Sequence, residues 1–367
     1  MPDLDPLFDV LASSPGKVCV MGSANADLTV RVASLPKPGE TIAGGPLEVL
    51  PGGKSANQAA TVGRLGVAAT FLGAVGADPN GALLRDSLVD AGVDVSHLAE
   101  AAEATGTAMI LVDDEAENCI VISAGANGTV DAGFVRDRGD AIRAAGVLGL
   151  CLEVADDAVV EAARIARDAG VTVVFNLSPV RDVPADLLEL VDVLIVNEHE
   201  LAVLVGSAAV EEGAESGDWS DAATALAAKH DIRTAVVTLG GAGSVVVETG
   251  AEETGERSVT ATLVEPLPVD VVDTTGCGDS YMGSLMAGLA SGLGVRDAAR
   301  VAAAVSAYAA GGAGAQASYG SAAQVREFAG TGRRGEAPAL SKSKGPAHHR
   351  TMVGRGLRRV RARGGRG

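Results

Sequence analysis

The chain has 367 residues, 47% of them hydrophobic and only 2% aromatic, and a formal net charge of −18. That is apolar material for one large or two ordinary domains, and no uninterrupted apolar run approaches the roughly 20 residues of a membrane span, which argues against a membrane protein. A core of Val, Leu, Ile and Ala suits a parallel sheet covered by helices, and the acidic body has no nucleic-acid footprint.

The acidic start lacks the basic beginning and long apolar run of a signal peptide, so residues 1–15 read as an extension on a cytoplasmic protein. Residues 18–21 read as a buried strand, followed by Gly22-Ser23-Ala24-Asn25-Ala26-Asp27. Asn25 and Asp27 share one side of an extended segment, where an amide and a carboxylate can hold vicinal hydroxyls; a turn-forming loop is the plainer alternative. Residues 28–32 alternate strictly, as a half-buried strand does.

Gly52 and Gly53 precede a helix over 54–65, with Lys54 and Asn57 on one face of its first turn. A lysine is electrostatically misplaced at a helix N-terminus, which suggests a ligand for Lys54. The Gly-Lys-Ser triplet is not a P-loop, because Glu48 stands where that pattern needs glycine, and no dinucleotide-binding glycine fingerprint follows the first strand.

A strand over 70–75 and a helix over 82–91 follow, then strands 107–112 and 119–123 joined by an acidic turn. These last strands and 28–32 read as half-buried antiparallel pieces of a small lid, discontinuous in sequence (about 24–50 and 105–124), over a body spanning 16–328. From 145 onward the pattern is that of a parallel sheet with crossover helices. Strands 147–152, 171–175, 193–196 and 234–237 are followed by Glu153, Asn176, Asn197 and Thr238, and ligands of open α/β sheets bind beyond such strand ends. The expected fold is therefore a three-layer α/β/α domain with a mostly parallel central sheet and a small β lid.

In the segment 273–283, the turn Gly276-Cys277-Gly278 leads into a helix carrying Met282, Leu285, Met286 and Leu289 at helical spacing. Unpaired amides and the helix dipole there favour negative charge. Asp279 beside a bound phosphate would take a proton from an attacking hydroxyl, which points to phosphoryl transfer to an alcohol; a first-turn helix acid is the alternative. Cys277 in that position is expected to have a lowered thiol pKa. Cys19, Cys119 and Cys151 lie in apolar runs with no zinc-type spacing. Helices over 296–310 and 322–328 complete the body. Residues 331–367 hold 11 of the 29 Lys and Arg but one acid, Glu336, and read as a disordered basic tail.

Taken together these segments resemble the PfkB, or ribokinase-like, family of carbohydrate kinases. The resemblance rests on 22–27, Gly52-Gly53-Lys54-Ser55-Ala56-Asn57, the Ala124–Asn127 and Asn197–Glu200 segments, 238–243, 273–283 and 314–319, over about residues 16–328. It implies ATP and Mg2+, activation by a monovalent cation such as K+, and a sugar acceptor, with ribose favoured by the 22–27, 124–127 and 314–318 segments. Another alcohol acceptor (a nucleoside, fructose or deoxyribose) and a non-catalytic sugar-binding homologue are the alternatives.

Carried over by position, the resemblance makes Asp279 the base and Gly276, Cys277 and Gly278 an anion hole. Asn25, Asp27, Gly53, Lys54, Asn57 and Glu153 would hold the sugar. Asn197 and Glu200 would organise magnesium and phosphate, and Thr238 and Gly240 lie by the nucleotide. Asp273, Thr275, Ala309, Gly312, Gly314 and Ser318 match the monovalent-cation positions. Ser55 and Cys277 replace the usual glycine and alanine, Ala303 stands where a histidine near adenine is common, and a homodimer through the lid is implied.

Overall fold

The computed structural model describes residues 3–13, 16–115, 117–251, 257–332 and 334. Its larger sheet is built from β1 (Lys17–Met21), β4 (Ala68–Gly76), β5 (Val93–Asp94), β9 (Val147–Leu150), β10 (Thr172–Asn176), β11 (Val193–Asn197), β12 (Thr234–Thr238), β13 (Ser244–Ala251) and β14 (Arg257–Val264), with β6 (Leu98–Ala101) beside β4. The order is β14-β13-β12-β11-β10-β9-β1-β4-β5. Pairing is parallel from β12 to β5, as the buried Val- and Leu-rich runs require. The β13 and β14 hairpin adds an antiparallel edge that the periodicity did not reveal, because Val245-Val246-Val247 is a continuous apolar run rather than an alternating one.

Both faces of the sheet are covered. One layer contains the helices Lys54–Arg64, Pro79–Asp90, Cys277–Ala290, Val295–Ala310 and Ala322–Thr331; the other contains Asp156–Ala169, Glu198–Val205 and Ser220–His230. The expected three-layer α/β/α architecture is present. The helix Asp5–Ser13 buries Phe8 and Leu11 in the first layer, and Arg326 pairs with Asp5 and Asp9 at 2.7 Å each.

Few aromatics are needed because small residues let the helices close on one another. A Cβ on Gly283 would lie 2.6 Å from the Gln58 carbonyl oxygen and 2.7 Å from Thr61 Cβ, so glycine lets the helices Cys277–Ala290 and Lys54–Arg64 meet backbone to backbone. Two buried aromatics, Tyr308 and Phe328, meet edge to face at 5.8 Å.

A second sheet, order β3-β2-β7-β8, forms the lid from β2 (Asn25–Arg31), β3 (Glu48–Gly52), β7 (Gly106–Val112) and β8 (Asn118–Ser123). The acidic turn joins β7 and β8 as expected, with Val112 opposite Asn118. The expectation of a wholly antiparallel lid is corrected: β2 and β7 run parallel, Asn25 opposite Gly106, because the chain enters both strands from the body's edge. Only residues 22–24 separate β1 from β2, and β3 runs through Gly52 to the helix Lys54–Arg64 after Gly53.

The basic C-terminal segment begins as part of the body. Thr331 ends the last helix, Gly332 caps it in the left-handed conformation, and Arg334 packs inward. The remainder of the basic tail, residues 333 and 335–367, lies outside the described residues, as do 1–2 and 14–15 of the N-terminal extension.

Candidate active site

Where the lid meets the body, the start of β2 supplies Asn25. Asn127 fixes its carboxamide: Asn127 Nδ2 donates to Asn25 Oδ1 at 2.8 Å, and Asn127 Oδ1 accepts from the Ala24 amide at 3.0 Å. The Asn25 amide hydrogens are thereby free to face outward. Asp27 lies two residues along, against Gly52, where a Cβ would meet its carboxylate at 2.1 Å. Burial, then the charges of Glu153 and Asp279, push the Asp27 carboxyl up to about 7.

Gly53, at φ 89°, turns the chain into the helix Lys54–Arg64; a Cβ there would lie 2.6 Å from the Asn25 amide nitrogen. The Lys54 amide donates to Glu153 Oε2 at 3.0 Å, and Ser23 donates its hydroxyl to the same oxygen. Burial works against the Lys54 ammonium, but Asp279, Glu153 and Glu200 together hold it above the ordinary lysine value. The electrostatic misfit expected at this helix start is thus answered by carboxylates from three other elements.

Asp279 is buried at the start of the helix Cys277–Ala290 and accepts from Asn57 Nδ2 at 2.9 Å. Burial pushes its carboxyl up to about 6, Lys54 and the Asn57 amide pull it down, and Glu153 adds to the rise. At pH 7 the carboxylate still predominates, by about tenfold, in the range that suits a general base.

Beside it, Gly276 adopts φ 73° and its carbonyl accepts from the Tyr319 hydroxyl at 2.9 Å. Asp273 accepts from the amides of Thr275 (2.9 Å) and Gly314 (2.8 Å), which pins the turn to the 311–319 loop. The Cys277 amide donates to the Thr274 carbonyl at 3.1 Å, whereas those of Gly276, Gly278 and Asp279 meet no protein acceptor among the described residues. The open amides of the turn are therefore those flanking Cys277. Its thiol departs from expectation as well: burial, then the charge of Asp273, push it up to about 11, outweighing the helix N-terminus, so the sulfur is protonated at neutral pH.

Asn197 and Glu200 form a capping box at the end of β11. Glu200 Oε2 accepts from the Asn197 amide at 2.9 Å, and Asn197 Oδ1 from the Glu200 amide at 2.8 Å. Burial raises the Glu200 carboxyl although hydrogen bonds from the Asn197 amide and the Ser178 side chain, and the charge of Lys54, oppose it.

Thr238 ends β12, and Gly240 opens a short turn over an apolar cleft of about 410 Å³. Leu267, Val269, Tyr281, Ala303 and Ala307 line the cleft, and Cys277 sits at its border with the glycine turn. The loop 266–269 escaped the sequence reading because it has no period. Ser23, Asn127, Tyr319 and Arg334 were also missed as individual residues, although Asn127 and Tyr319 lie in segments that carried the resemblance.

Of the proposed cation positions, Asp273 is tied to Gly314 as described, and the Gly312 amide donates to the Ala309 carbonyl at 2.9 Å. Arg334 Nη2 donates to the Ser318 carbonyl at 2.9 Å, its guanidinium covers Gly312 and it lies 4.6 Å above the Tyr308 ring.

A buried carboxylate beside open helix-start amides, between a polar pocket under a lid and an apolar cleft, defines a phosphotransferase acting on an alcohol. The profile of the pfkB family of carbohydrate kinases matches residues 15–321, and the chain belongs to that family. It is 32% identical over 312 residues to a ribokinase of Haemophilus influenzae, covering 84% of this chain and 97% of that one. It is 35% identical over 298 residues to a ribokinase of Schizosaccharomyces pombe, with 79% and 90% covered. The structure of Arabidopsis thaliana ribokinase complexed with ribose and ATP superposes with a TM-score of 0.75 at 30% identity, covering 86% of this chain and 98% of that one.

Proposed function

We propose that this protein is an ATP-dependent ribose kinase that transfers the γ-phosphoryl group of ATP to the 5-hydroxyl of D-ribose. The observation that carries the reading is the convergence on Asp279 of groups from separate elements: Asn57 by hydrogen bond, Lys54 and Glu153 by charge, and the open amides of Gly276 and Gly278 from its own turn.

Asn25, Asp27, Gly53, Lys54, Asn57 and Glu153 hold the sugar hydroxyls under the lid. Asp279 takes the proton of the attacking hydroxyl as its oxygen bonds to the γ-phosphorus, the bond to the β-phosphate oxygen breaks, and ADP leaves. The two open amides and Lys54 stabilise charge on the transferred group. The apolar cleft beside Thr238 and Gly240 takes the adenine, with Ala303 in its wall.

Among the described residues no group of three or more His, Cys, Asp or Glu is arranged as a metal cage. Magnesium fits such a site, since it is usually held through one or two carboxylates and the substrate's phosphates; Glu200, oriented by Asn197, is the carboxylate for it. Bound there it neutralises phosphate charge. Potassium fits less well, because Arg334 already sets a permanent positive charge against Ser318 and Gly312, and no step is assigned to it. The lid exposes apolar side chains on both faces of its β7–β8 edge, Met109 and Val121 on one and Ile120 and Ile122 on the other, each about half exposed, and this supports a homodimer through the lid.

The test is a coupled ATP assay over ribose, deoxyribose, fructose, adenosine and other nucleosides, with and without potassium. Ribose is expected to give the highest kcat/KM; a nucleoside or fructose preferred by tenfold or more would refute ribose as the substrate, and no ATP turnover with any acceptor would refute the kinase reading.

A further inference from the structure

Asp279 is the last acceptor of a directional hydrogen-bond chain that starts on a neighbouring helix of the first helical layer, Pro79–Asp90. Ser87, on the helix Pro79–Asp90, donates its hydroxyl to Gln316 Oε1 at 2.7 Å. Gln316 Nε2 donates to Asn57 Oδ1 at 3.0 Å, and Asn57 Nδ2 donates to Asp279 Oδ2 at 2.9 Å. Asn57 and Gln316 are both nearly fully buried, at 5% and 3% exposure, so neither carboxamide can turn to water instead.

Each link decides the sense of the next. The ionised Asp279 can only accept, so Asn57 turns its N–H group to it and its oxygen to Gln316 Nε2; Gln316 thereby turns its own oxygen to Ser87, whose hydroxyl donates.

We infer that Gln316, locked by Ser87, is a positioning residue of the kinase reaction: it holds Asn57 as a hydrogen-bond donor to the base, so that Asp279 keeps one oxygen engaged and the other available for the incoming hydroxyl proton. Neither Gln316 nor Ser87 touches the acceptor; both act through Asn57.

The groups facing Asp279 are Lys54 and the buried Gln58 on the helix Lys54–Arg64, Glu153 beyond β9, Asp27 on β2, Cys277 on its own helix and Tyr319 at the end of the 311–319 loop. Only Lys54 among them carries positive charge, so the donated amide is the other main support of the ionised base. Its loss therefore shifts the protonation of Asp279 upward.

The inference rests on Asp279 being the base, and two readouts separate the ideas. In Gln316→Met, a near-isosteric change that removes the donor, kcat with ribose is expected to fall at least tenfold while KM for ribose changes less than about threefold, and the acid limb of the rate profile moves up by about one pH unit. Ser87→Ala, on a half-buried helix position, is expected to move both in the same direction by a smaller amount. Carbon-13 NMR titration of the Asp279 carboxyl in the ligand-free protein, assigned with Asp279→Asn, reads the same upward shift without any substrate, so it stands even if ribose is not the acceptor. A Gln316→Met protein that loses thermal stability or yield but keeps the wild-type Asp279 titration and acid limb would overturn the inference, since that is what a merely structural glutamine does.

Discussion

At the residue scale, the site concentrates negative charge that water would disperse. Asp27 and Asp279 titrate in the folded protein at about 7 and about 6, both above the 3.8 of an ordinary aspartate. Folding thus raises both values: the folded state binds more protons than the unfolded one between about pH 4 and 7, and stability falls as pH rises through that window. Asp27→Asn is accordingly expected to raise Tm at pH 8 by a few degrees while sharply weakening ribose binding, a trade measurable by thermal unfolding and calorimetry. Asp279→Ala removes the base itself. It should leave the fold and ribose affinity largely intact and lower kcat by about 10³-fold or more; near-normal turnover would show that another group takes the proton. Wild-type activity is expected to decline below about pH 6 as Asp279 protonates, a limb readable from kcat/KM against pH.

Elements, rather than residues, explain why these groups meet at all. The helices Lys54–Arg64 and Cys277–Ala290 touch through Gly283, and Asn57 reaches Asp279 one turn away from that contact. Gly283→Ala forces a methyl against the Gln58 carbonyl. The expected outcome is a loss of about 1–3 kcal/mol in denaturant unfolding together with a fall in kcat larger than any rise in KM, because the base shifts relative to its partner. Much of this level was legible in the sequence. Buried strands of β-branched residues, the helices over 54–65 and 82–91, and the glycine turn before Asp279 each follow from local chemistry. What was not legible depends on pairing across distance. The direction of β2 against β7 is set by where the lid strands leave the body, and the β13 and β14 hairpin hides in an unalternating valine run. The Cys277 thiol was misread because burial, which needs a structure to see, outweighs the helix start, which does not.

At the scale of the whole molecule, contacts near its first and last helices reach its chemistry. Arg326 holds the first helix to the last, and Arg334, just beyond, reaches the loop that pins the glycine turn. Arg334→Ala frees the Ser318 carbonyl and removes the fixed charge, so potassium is expected to stimulate the variant several-fold more than the wild type in a salt-substitution assay against tetramethylammonium; equal responses would show that Arg334 does not bear on the site. The lid's exposed β8 has its own test: Ile120→Lys with Ile122→Lys should convert a dimer to a monomer on a sizing column.

The short joints between lid and body have an evolutionary consequence. Residues 22–24 on one side and Gly53 on the other leave almost no slack, and the residues next to these joints are the ones assigned to the sugar. A change on the lid's surface that alters its tilt by a few degrees is therefore transmitted directly to Asn25 and Asp27, while Lys54, which starts a body helix, and Asp279 stay anchored. Acceptor preference in this scaffold can drift through substitutions far from any ligand, with the phosphate-handling half inherited unchanged.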